Sequence, residues 1–219
     1  MKYNSSTGSY HPSNQRGMVV AIFLRVAMST NDFAKLAQDK FSFLVSEYSF
    51  CCVEVTSYVV RFESDKVFVS VRYDASRSFE LDVEVGELNV LYGGEERPFN
   101  LGEILRLEGA EKKERCTFFQ ASEPEALTNC TARLALLLST YGVEFLKGNK
   151  FSFKRLSTFR EKECNQYALE TELTDIRRKV QVAWKDKNYS RVAELYQPVE
   201  DVISEAEKKK LAFAKKQIK

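Results

Sequence analysis

Histidine is almost missing from this sequence: 219 residues hold one, His11. It sits within residues 1–17, a polar stretch with Gly, Pro, Ser and Asn and no apolar periodicity. Such a stretch buries too little surface to offset the entropy of ordering it. The part expected to fold therefore has no imidazole. That excludes Ser-His-Asp and Cys-His nucleophile pairs, His-ligated zinc and histidine general bases together. Glycine and proline are scarce, at 9 and 4, and no Pro- or Gly-rich linker divides the chain. Phosphate loops are absent, since Gly93-Gly94 and Gly148-Asn149-Lys150 match neither G-x-x-x-x-G-K nor G-x-G-x-x-G. No serine occupies a nucleophile elbow.

A long hydrophobic run is also missing. The apolar run that begins at Met18 ends at Arg25, too short to cross a bilayer and marginal for a signal-peptide core. Met28 is followed by Ser-Thr-Asn-Asp, a helix start. The domain is expected to begin near Met28, with 1–27 a disordered N-terminal extension. The alternative is that 18–26 adds a strand or pads the core. Neither charge sign dominates: Lys+Arg number 33 and Asp+Glu 31, a net +2. Nothing in that balance argues for nucleic acid or an anionic membrane as partner. The cysteines, Cys51, Cys52, Cys116, Cys130 and Cys164, are odd in number, widely spaced and without C-x-x-C. They read as small buried hydrophobes in a reducing cytoplasm, with no metal and no cofactor expected. Asn129-Cys130-Thr131 fits a glycosylation sequon but falls inside a helical run without secretory context.

What is present is apolar and aromatic: 44% hydrophobic, with 16 Phe and 10 Tyr. That suffices for a sizeable core in one domain, or one domain with an appendage. From Ser29 to Tyr48 the apolar residues Phe33, Leu36, Ala37, Phe41, Leu44, Val45 and Tyr48 keep a helical period. Val53, Val55, Val59 and Val60 then open a β-branched region. Val67 to Tyr73 and Phe79 to Gly86 alternate apolar with polar around a turn at Asp74–Ser78, as half-buried antiparallel strands do. The spacing places Val67, Val69, Val71, Leu81, Val83 and Val85 against the helices, with Glu80, Asp82 and Glu84 facing out. Leu101–Leu107 reads as a short helix and 109–116 as a charged connector. Ser122-Glu-Pro-Glu125 reads as a capping box opening a helix that Gly148 stops. Beyond Phe151 all is helical: one helix from Phe153 towards Leu169, a second through Ile176, Val180 and Trp184, then a tight turn at Lys185–Asn188 and a third. Ser204-x-x-Glu207 caps the last. The chain is therefore α+β. A leading helix and an antiparallel meander of three to four strands occupy 28–120, and a helical region, 121–219, packs with them as one unit.

Glu80, Asp82 and Glu84 alternate along one strand, so their carboxylates leave the same face. This is either a solvated sheet face, partly neutralised by Arg72, Lys66 or Arg61 opposite, or a surface that binds a basic partner. Metal binding needs convergence, and carboxylates two residues apart on a strand diverge about 7 Å apart. Lys208–Lys210, Lys215 and Lys216 follow Glu205 and Glu207 on one helix, the order that the helix dipole favours. Trp184, Tyr189, Tyr196 and Phe213 are spaced for packing between helices rather than for base stacking.

Ala183-Trp-Lys-Asp-Lys-Asn-Tyr189-Ser-Arg-Val-Ala193-Glu-Leu-Tyr196 resembles the turn of a tetratricopeptide helix pair, with one unit and no second copy. The wider layout is similar to small bacterial immunity proteins that accompany polymorphic or contact-dependent toxins. The resemblance is carried by the opening helix, by Tyr73-Asp74 through Arg77-Ser78-Phe79-Glu80-Leu81, and by Ala183-Trp184, Asn188-Tyr189, Leu195-Tyr196 and Glu207–Leu211. It implies a cytoplasmic, non-catalytic protein that neutralises one cognate toxin by occlusion. The expected partner is a protein, such as a basic toxin domain, and not nucleic acid or membrane. Glu80, Asp82 and Glu84 are the expected contact residues, with no catalytic or metal residues. The competing classes are a helical adaptor, for which 121–219 alone would bind, and a carboxylate-dependent enzyme without histidine.

Overall fold

The helical period that starts at Phe33 yields two short helices rather than one, α1 (Thr30–Lys40) and α2 (Ser42–Tyr48). They part at Phe41, whose φ of −97° and ψ of 13° leave the helical region. Phe33, Ala37, Phe41 and Leu44 enter the core, while Val45 stays exposed. The computed structural model describes residues 30–115 and 119–218. The expectations for 1–27, and with them His11, Met28 and Cys116, fall outside the described residues.

The alternating segments form β1 (Cys51–Val55), β2 (Val59–Glu63), β3 (Val67–Tyr73) and β4 (Leu81–Glu87). A hairpin of β5 (Leu91–Tyr92) and β6 (Glu95–Glu96) follows, then β7 (Phe99–Asn100). The main sheet is five-stranded and antiparallel in the order β1-β2-β3-β4-β7, and β5-β6 stands apart. Gly93 and Gly94 turn that hairpin at φ of +66° and +91°, values that side-chain-bearing residues rarely adopt. Val67, Val69, Val71, Leu81, Val83 and Val85 are all buried against the helices, as their alternation requires.

The opposite face is less open than alternation implies. Phe68 is buried there over Gly86, where an added Cβ would lie 2.4 Å from the Phe68 ring. The Arg61 guanidinium covers that ring at 3.9 Å and reaches Glu96 of β6 through two bonds of 2.8 Å. The hairpin thus roofs part of the polar face. At the far edge β1 is exposed along its whole length. Cys51 and Cys52 are exposed with it, as is Cys164, while Cys130 is half-buried. That corrects the expectation of buried thiols. The first two lie on an edge strand, and Cys164 lies where its helix touches neither core.

After β7 come α3 (Leu101–Leu107), α4 (Glu111–Glu114) within the charged connector, α5 (Pro124–Tyr141) and α6 (Val143–Leu146). The capping box expected at Ser122 does not form. Glu123 is the N-cap, extended at φ −119° and ψ 149° and without a side-chain bond, and Pro124 opens the helix. Next, α7 (Lys150–Lys185) runs 36 residues unbroken where two helices were expected. It is followed by α8 (Tyr189–Tyr196), a single 3-10 turn and α9 (Glu205–Gln217).

This helical half divides between two cores. Leu127, Leu134 and Leu138 of α5, Phe145 and Leu146 of α6, and Phe153 and Leu156 of α7 pack with the sheet. Leu173, Val180, Val192, Tyr196, Ile203 and Leu211 form a separate core between α7, α8 and α9. At its rim the rings of Trp184, Tyr189 and Phe213 meet with centroids 5.5–5.7 Å apart. Ser204 and Glu207 make both bonds of the expected capping box.

Candidate functional site

The outer edge of β4 has two partners with a gap between them. At its start, the segment Phe119–Ala121 forms a bridge from Gln120 to Glu80, and the Leu81 N–H donates to the Phe119 carbonyl at 3.0 Å. At its end, β7 pairs Asn100 with Glu84 and Phe99 with Val85. Between them the Val83 N–H donates to Asp82 Oδ1 at 2.7 Å. A side chain takes the place that a strand carbonyl would fill, because a buried amide left unpaired is costly.

A cavity of about 200 Å³ lies at this gap, lined by Glu80, Leu81, Asp82, Asn100, Leu101, Gly102, Leu105, Arg106, Phe119 and Leu134. Helix α3 forms its wall, and the start of that helix is fixed reciprocally. The Glu103 N–H donates to Asn100 Oδ1 at 2.8 Å, and the Asn100 N–H donates to Glu103 Oε2 at 2.9 Å. Glu103, only 7% exposed, also accepts two bonds of 2.6 Å from Arg160 of α7. One turn on, Arg106 donates to Glu163 of α7 at 3.0–3.2 Å. The wall is thus clamped to the long helix at two levels.

The expected acidic ridge resolves into three different groups. Glu80 is exposed. Glu84 accepts from Arg72 Nε at 2.5 Å, as cross-strand pairing suggested. Arg72 stands opposite Asp82 in register, yet it reaches diagonally to Glu84. Asp82 is the exception. Half-buried, it has no cation within ion-pair distance among the described residues, and its one bond among them is to the neighbouring amide. Burial, above all, raises its pKa from 3.8 to about 6, opposed by the Val83 amide and reinforced by the negative charges of Glu84, Glu103 and Glu80. The three therefore share a face without forming a row of equal, solvated charges.

Asn100, Gly102, Arg106 and Phe119 escaped the sequence reading. Asn100-x-x-Glu103 is itself a capping signature that places the helix start and hence the cavity wall. Phe119 had no local signal. Among the described residues no three His, Cys, Asp or Glu side chains group as metal ligands. No helix among them is long and apolar enough to cross a membrane. Chemically, the site offers a carboxylate pair beside an apolar recess, suited to holding a cationic group. Comparison with family models, curated proteins and solved structures returned no match to this chain.

Proposed function

We propose that this is a non-catalytic protein-binding protein, an immunity-type neutraliser of a toxin, that engages a basic surface through Glu80, Asp82 and Glu84. The observation that carries the reading is Asp82, a half-buried carboxylate at the mouth of a cavity and without a cation among the described residues. Several buried or half-buried carboxylates elsewhere are matched with arginine: Glu103 with Arg160, Glu207 with Arg177, and Glu114 with Arg133. A charge kept partly desolvated and unmatched destabilises the free protein, and unmatched charges of this kind concentrate at sites of function. Strand positions also present their charges with little rotamer freedom left to lose.

The test is association kinetics against the purified product of the adjacent gene. Reversing all three charges is expected to slow association at least about ten-fold at low salt, with the difference shrinking as salt rises. Circular dichroism of the variant checks that the fold is kept. An unchanged rate at low salt overturns the reading. A helical adaptor is the second reading, supported by the separate core of α7, α8 and α9. It requires binding that survives the reversal.

A further inference from the structure

The lining of the β4 cavity has two characters. Leu81, Leu101, Leu105 and Leu134 make it aliphatic, while Glu80 and Asp82 add negative charge on one side. Arg106 also lines it, but its guanidinium is occupied by Glu163. A group with an apolar stem and a cationic tip matches both characters. We propose that this cavity receives one arginine side chain of the protein partner, its methylenes on the leucines and its guanidinium between Glu80 and Asp82. The inference rests on the protein-binding reading above and names the group that anchors it.

Arginine fits better than lysine for two reasons. Its guanidinium is planar, weakly hydrated and able to serve two acceptors at once, so partial burial penalises it less than an ammonium. Half-buried carboxylates of the molecule itself also take arginine, as Glu84 does from Arg72 and Glu207 from Arg177. Free arginine fits worse than a side chain on a peptide, because its α-carboxylate would approach Glu80. Among the described residues, the charged groups around Asp82 are Glu80 just before β4, Glu84 on β4, Arg72 on β3, and Glu103 and Arg106 on α3. Arg72, Glu103 and Arg106 are already paired, which leaves Asp82 and Glu80 to meet the ligand.

The experiment is an amide NMR titration of the full chain with N-acetyl-arginine methylamide, beside the norleucine analogue, which keeps the stem and lacks the charge. Saturable shifts at Leu81, Val83 and Gly102 with a Kd in the low millimolar range are expected for the arginine probe alone. Asp82→Asn is expected to weaken it about ten-fold or more. Gly102→Leu is expected to abolish it while leaving every carboxylate in place, because a Cβ there points between Asn100 Oδ1 at 3.2 Å and Arg106 at 3.6 Å. Lowering the pH one unit beneath the Asp82 pKa should weaken binding about ten-fold. Absence of saturation at tens of millimolar overturns the inference, as does equal binding by the norleucine analogue or by Asp82→Asn. If the probe fails while charge reversal still slows partner association, the anchoring arginine falls and the binding face stands. If the probe saturates while association is unchanged, the cavity serves small guanidinium compounds, and a partner side chain is overturned as its occupant.

Discussion

The two cores are built from different materials. Around the sheet, Phe33, Phe41, Phe50, Phe62 and Phe145 are buried among valines and leucines drawn from nearly every element up to α7. Among the described residues, the α7-α8-α9 core buries no phenylalanine, and its aromatic rings other than Tyr196 sit at the rim. A polar joint closes its corner. Arg177 donates to Glu207 Oε1 at 2.8 Å, Ser204 Oγ donates to Oε2 at 2.7 Å, and the Tyr196 hydroxyl reaches Oε1 at 3.4 Å. The first core draws its strength from apolar volume across distant segments. The second is a local assembly whose corner is held by one carboxylate.

The first core is most vulnerable at Val83, which is fully buried there. Val83→Asp is expected to lose at least about 4 kcal/mol, since it buries an unpaired charge. Urea unfolding followed by tryptophan fluorescence and circular dichroism will show whether Trp184, in the second core, outlasts the sheet. Leu173→Ala should remove about 3 kcal/mol from the second core alone. Hydrogen exchange should rise in α8 and α9 and stay unchanged in β3 and β4. A coupled rise in both would show that the cores unfold as one.

Asp82→Asn is expected to act in the opposite direction. The folded pKa of about 6 lies above the ordinary 3.8, so the folded chain holds the proton more tightly than the unfolded one. Wild-type stability therefore falls as pH rises from about 4 to 6. Asparagine removes that loss. A gain of about 3 kcal/mol is expected above pH about 6.5 and none below about 3.5, checked by melting curves across that range. Glu207→Gln should cost about 1 kcal/mol at neutral pH. Arg177, ahead of the Ser204 bonds, holds the Glu207 pKa down to about 2 against 4.5. The wild-type advantage should accordingly be complete above pH about 5 and disappear as pH falls towards 2. A flat difference across that window would remove Glu207 as the corner of the second core.

Local signals survived into the structure where they depended on near neighbours. The inward valines of β3 and β4 and the Ser204–Glu207 cap came from spacing or residue type, whereas the helix expected to run to Gly148 ends at Tyr141 with Gly142 as its cap. The continuity of α7 did not, because residues 164–168 are exposed in succession and a stretch wet on every side has no apolar period to read. Gln166 donates to Glu170 at 3.2 Å there, and no Gly or Pro interrupts the turn. Asp82 shows the other limit. Its alternation with Glu80 and Glu84 was legible, but its burial depends on α3 and Phe119–Ala121 arriving from later in the chain. The acidic face was thus visible in the sequence, and the recess within it was not.

Helix α7 spans both cores along about 54 Å at 1.5 Å per residue. In its exposed middle, the bearing of one body about the other is set by counting residues. One residue inserted between Cys164 and Ala168 would swing the second body through about 100° and move it about 1.5 Å outward, with no buried contact in that stretch to resist. Melting temperature would scarcely register the change. A partner grasping both bodies would lose its match at once, whereas one held at the β4 recess alone would not notice.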